Sequence, residues 1–164
     1  MAFFVTAFCT SDEIPTVRQL RDELDTLGMP ITITLEVPVE PVGPEIDDDS
    51  TSWSQLIVAE GNVEFAIIEI ELPAQDGGLP SEASDLLEIA VKDDASPERT
   101  RVIDHLQQTK FVIIIQFFDY ESEDSWDAVA LLANYLITNR GGLVHLEDIG
   151  FVERVGDATG FYDI

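Results

Sequence analysis

One cysteine, two lysines and two histidines are scarce chemistry for a chain of 164 residues. A single cysteine excludes any disulfide framework within the chain and any Cys-based metal cluster. Cys9 lies inside the apolar run Phe3-Phe4-Val5-Thr6-Ala7-Phe8-Cys9, where a lone thiol behaves as a small buried hydrophobe. With lysine reduced to Lys92 and Lys110, and six arginines beside them, the chain lacks the cations that phosphate contacts require. Direct nucleic-acid binding is therefore not expected. No apolar run approaches the roughly 18 residues of a membrane helix, and the N-terminal stretch has no basic lead and is broken by Thr6, Thr10, Ser11 and Asp12. It does not read as a signal peptide, so the expected location is cytoplasmic, with no membrane partner. Glycine-rich phosphate loops and nucleophile elbows are missing too: Gly77-Gly78 and Gly141-Gly142 lack the flanking pattern. No cofactor is implied.

What the chain has in excess is acid. Aspartate and glutamate number 33 against eight basic residues, for a net charge of −25. Solubility asks a small domain for a charge of only about 2–8, and self-repulsion on this scale costs stability. Three explanations compete. The acid faces a basic protein partner, it imitates a nucleic-acid backbone, or it is an adaptation to concentrated salt, which screens repulsion beyond roughly 3 Å at about 1 M.

Apolar residues make up 45% of the chain, and a domain of this length buries roughly 70% of its unfolded surface. That is enough for one self-sufficient core, so residues 1–164 are read as a single domain. Residues 2–9 form a first strand. Ser11-Asp12-Glu13 opens a helix with Pro15 in its first turn, an apolar face of Val17, Leu20, Leu24 and Leu27, and Gly28 as its stop. Ile31 to Val37 alternates as a strand. Residues 38–52 form an acidic loop rich in proline and glycine. Residues 53–60 and 63–72 form a hairpin about Gly61-Asn62. The consecutive Ala66, Ile67 and Ile68 suggest a strand covered on both faces. Residues 84–91 lean towards helix. Ser96-Pro97 starts another helix, 110–118 is a nearly continuous apolar and hence central strand, Trp126 to Arg140 is a helix stopped by Gly141-Gly142, and 143–146 is a short strand. Residues 147–164 read as an irregular tail. The fold class is α+β, with a mixed, largely antiparallel sheet and helices packed mainly on one face.

Candidate sites are few. His145, Glu147 and Asp148 could ligate a metal or exchange protons, but a simple pairing at the surface explains them better. His105 sits in a helix beside Asp104. Asp47-Asp48-Asp49 offers carboxylates without the alternating ligands and glycine of a calcium loop. Glu121, Glu123, Asp124 and Asp127 crowd a helix N-terminus more densely than a cap needs. The seven acids Asp47, Asp48, Asp49, Glu121, Glu123, Asp124 and Asp127 are the expected contacts for a basic partner. Trp53 and Trp126 read as core residues.

The strand 63–72 running into Pro73, the helix leading into Lys110-Phe-Val-Ile-Ile-Ile, the helix with Trp126, and Leu136 leading to Gly-Gly-Leu-Val-His145 resemble a family of uncharacterised bacterial α+β domains. Some of its members occur in toxin–immunity settings. The likeness spans residues 1–152 in element order. It implies a bacterial, non-enzymatic binding protein. The net charge of −25 and the absence of a catalytic set add the expectation of an immunity, antitoxin or inhibitor protein that neutralises a basic partner such as a toxin.

Overall fold

A computed structural model describes residues 2–35, 48–118, 122–156 and 160–164 of the chain. Along it run β1 (Phe3–Cys9), α1 (Val17–Asp25), β2 (Ile31–Leu35), β3 (Gln55–Glu60), β4 (Val63–Glu71), α2 (Ser81–Ala90), α3 (Pro97–Gln107), β5 (Phe111–Phe117), α4 (Glu123–Arg140), β6 (Gly142–Leu146) and β7 (Gly150–Val152). The strands make one seven-stranded sheet in the order β2-β3-β4-β5-β1-β6-β7. The fold is α+β, and the apolar run 111–117 is its middle strand.

Every neighbouring pair is antiparallel. The sheet is therefore not mixed. The reason is the position of β1: it slots between β5 and β6 and runs opposite to both. The two strands that α4 connects are parallel to each other but never adjacent.

The expectation of helices on one face is corrected. β1 and β5 are apolar at almost every position, so strict alternation sends large side chains to both sides of the sheet. Val5, Ala7, Cys9, Ile113, Ile115 and Phe117 meet α1 and α4 on a first face, with Leu20, Leu24, Val129 and Leu136. Phe8, Val112, Leu143 and Phe151 meet α2 and α3 on the second, with Ala83, Val102 and Leu106.

Local chemistry sets the helix ends. α1 starts later than expected, because Thr16 caps it: its hydroxyl accepts from Gln19 N, and the Gln19 side chain accepts from Thr16 N, a reciprocal capping box. The preceding Pro15 is fixed instead by Trp53, a buried residue whose Nε1 donates to Pro15 O at 2.8 Å. α2 has no capping side chain of its own at Pro80. The Glu71 carboxylate at the end of β4 supplies it, accepting from Ser81 N and Glu82 N at 3.0 and 3.1 Å. α4 begins on Ser122 and ends on Gly141, which has a left-handed φ of 59°. An added Cβ there would lie 2.4 Å from Thr10 Oγ1.

The segment expected to be irregular contains β7, and Tyr162 bridges back to Phe151. Phe161, Tyr162 and Ile164 then pack on the second face. Gly150, at φ 92°, makes this possible: a Cβ would stand 2.3 Å from Tyr162 O.

Candidate interaction face

The helices α2 and α3 cover only part of the second face. The sheet residues they bury come from β1, β5, β6 and β7. On the β2-β3-β4 side the same face stays open among the described residues. The strand register lays one row straight across it: Phe4 opposite Gln116, Gln116 opposite Ile67, Ile67 opposite Ile57, and Ile57 opposite Thr34. Their neighbours Val5, Ile115, Ile68, Leu56 and Ile33 belong to the first-face core, so alternation turns the row outward. Phe4 is 39% exposed, and Phe118, the residue after β5, is 40% exposed. Ile57, Ile67 and Gln116 are half-exposed, and neither isoleucine belongs to a core cluster.

Carboxylates frame this apolar strip. Glu64 is exposed opposite Ala59. Glu69 is exposed and accepts from Gln55 Nε2 at 2.8 Å. Glu147 grips the end of β1, with Oε2 accepting from Phe4 N and its own N–H donating to Phe4 O, both at 3.3 Å. Among the described residues no ion pair reaches any of the three: the pairs are Arg18–Asp49, Arg21–Asp48 and Arg101–Glu153. Two further arginines serve helix ends. Arg99 donates to Ala90 O and Val91 O at the close of α2, and Arg140 to Asn139 O at the close of α4.

The acids singled out from sequence are dispersed by the fold. Asp48 and Asp49 hold Arg21 and Arg18 of α1, so that run ties a loop to a helix. Asp47 and Glu121 lie outside the described residues. Glu123 and Asp124 occupy the first turn of α4, and both are exposed, as is Asp127. Their neighbour Trp126 packs on Phe3 and Phe117 at 6.0 Å from each ring, on the first face. The sheet thus separates this cluster from the open strip.

The histidines are not gathered into a site. His145 projects on the second face, its ring 4.9 Å from that of Phe151. Burial lowers its pKa, with Asp163 and Glu147 acting the other way. Glu147 is committed to Phe4 N, and Asp148 occupies a left-handed turn at φ 64°. His105 bonds Phe8 O through Nε2 at 2.7 Å, and burial lowers its pKa as well. Burial pushes the Cys9 thiol up to about 12, against the opposing pull of Arg140. It stays protonated at neutral pH and packs as a hydrophobe. No three His, Cys, Asp or Glu side chains gather as metal ligands among the described residues, and no described helix is long and apolar enough to cross a membrane.

Sequence reasoning passed over Phe4, Ile57, Ile67 and Phe118. The signal was the unbroken run at 66–68, read as cover on both faces. Among the described residues β4 is covered on one face only, and the surplus apolar residue, Ile67, is half-buried. The chain matches no protein-family model, no curated protein and no solved structure.

Proposed function

We propose that this protein is a non-enzymatic binding module of immunity or inhibitor type that captures a basic protein partner on the open strip of its sheet. The observation that carries this reading is the cross-strand row Phe4, Ile67 and Ile57 set among the carboxylates Glu64, Glu69 and Glu147, which no described cation neutralises. A few well-packed anchor residues supply most of the energy of an interface. A surrounding field of one sign speeds encounter with an oppositely charged protein and rejects like-charged ones. With a net charge of −25, that field selects a basic partner.

The test is capture of basic proteins from the source lysate at low salt. The wild type should retain a basic protein that about 0.5 M salt releases. Ile67→Arg should lose it, and the triple variant Glu123→Gln, Asp124→Asn, Asp127→Asn should keep it. Equal retention by wild type and Ile67→Arg would remove the strip from the reading.

One observation favours a second reading, adaptation to concentrated salt. Exposed acids occur on all four described helices, with Asp22 and Asp25 on α1, Asp85 and Glu88 on α2, Glu98 and Asp104 on α3, and Asp127 on α4. That scatter also counts against nucleic-acid mimicry, which needs carboxylates in rows. Under the salt reading the thermal midpoint climbs steeply towards about 1 M salt and the strip variant captures as much as the wild type.

A further inference from the structure

Among the described residues Arg140 is the one basic residue the fold buries, at 6% exposed. It ties the end of α4 to the start of α1: Nη1 donates to Asn139 O and Nη2 to Gln19 Oε1, each at 2.8 Å. The same Gln19 oxygen accepts from Thr16 N in the capping box. The guanidinium lies 5.5 Å from the Tyr135 ring centre. These contacts leave Nε buried without a hydrogen-bond partner. They also leave a buried cation with no ion pair among the described residues, in a chain with 33 acids. A buried charge is ordinarily paired, and a guanidinium presents its donors in a fork matched to a carboxylate.

Arg140 forms part of the wall of a recess of about 300 Å³ beside the N-terminus of α1. Asp12 and Glu13 line it, with Thr16, Gln19 and Thr51 adding neutral polar groups. Both carboxylates are exposed, and neither pairs with Arg140. The recess therefore counts one buried cation and two exposed anions among its lining residues. A simple anion meets Asp12 and Glu13 as repulsion, and a simple cation meets Arg140. A compact molecule carrying both charges satisfies each. The volume stands at the small end of ligand pockets, roughly 300–1,000 Å³.

We infer that the recess between α1 and α4 binds a small dipolar ion of the α-amino-acid class, its carboxylate on Arg140 and its ammonium towards Asp12 and Glu13. The site is separate from the open strip of the sheet and does not depend on that reading. The neighbouring N-terminus of α1 adds a positive dipole end to the carboxylate side.

The experiment is an NMR titration of the isotope-labelled full chain with glycine and L-alanine, with acetate and methylammonium as single-charge controls. Saturable shifts of the Thr16, Gln19 and Thr51 amides are expected with the amino acids, and binding of either control should be weaker by at least about tenfold. Arg140→Met should abolish the amino-acid shifts. Should that variant fail to fold, Asp12→Asn with Glu13→Gln, both at exposed positions, decides instead: amino-acid affinity should fall to that of acetate. Ile67→Arg should leave the titration unchanged. No saturable shift with either amino acid, or an affinity untouched by the Asp12/Glu13 variant, overturns the site and leaves Arg140 a structural tie.

Discussion

Leu56 and Ile57 are neighbours on β3 and meet opposite fates. Leu56 is fully buried in the core that α1 and α4 share; Ile57 faces a side of the sheet that no described helix covers at that point. The contrast extends to the two faces as wholes. On the first, apolar residues from β2 through β7 share one core. On the second, the core stops short of β4, β3 and β2. An apolar residue on the first face is needed for folding. One on the open strip belongs to neither core cluster, so its truncation should cost far less stability.

The strongest way to break the comparison is to truncate on both sides of one strand. Leu56→Ala should cost about 2–5 kcal/mol, the range for a buried leucine that leaves a cavity, read by chemical denaturation. A cost below about 1 kcal/mol would mean that the first face is not the stability core. Gly150→Ala probes how the second face is closed at its other end. A left-handed backbone and a clash with Tyr162 O at 2.3 Å should together cost at least about 1–3 kcal/mol and release Phe161 and Tyr162 from protection in hydrogen exchange.

Acid should act on the second face before the first, since both histidines lie there. Burial lowers both imidazoles from the ordinary value of 6.5, so the unfolded chain binds their protons more readily than the folded one. Their contribution is complete above 6.5 and is lost as the pH falls through the lowered folded values. The wild type should therefore lose more stability between about pH 7.5 and about pH 5 than a His105→Gln, His145→Gln variant. Equal losses would show that neither burial matters. The smallest effect is expected at Ile57→Thr, within about 1 kcal/mol of wild-type stability, while partner capture falls. A large loss of stability there would make Ile57 a core residue and erase the difference between the faces.

The elements with strong local signals were legible in the sequence. The spacing of Val17, Leu20 and Leu24, the Gly61-Asn62 turn, the apolar run of β5 and the Gly141 stop of α4 each depend on residues within one element. What escaped is non-local. Arg18 and Arg21 reach acids 31 and 27 residues away, so Asp48 and Asp49 looked unpaired. Glu71 caps a helix ten residues further on. β7 has only three residues and gains a second partner from Tyr162, too little periodicity to read. Two-sided helix cover follows from where β1 inserts, and the open strip follows from how far α2 and α3 extend. Neither is written in any single segment.

The insertion of β1 at the heart of the sheet also sets an order in time. Phe3 pairs with Phe117 and Val5 with Leu146, so during synthesis β1 waits for more than a hundred residues before either neighbour exists. Such long-range pairing makes folding slow. Through that interval a phenylalanine-rich segment stays unpaired, the kind of exposure that draws chaperones and invites aggregation. The hairpin of β3 and β4 can form early from local contacts, but the seven strands become one sheet only once β6 and β7 have been made.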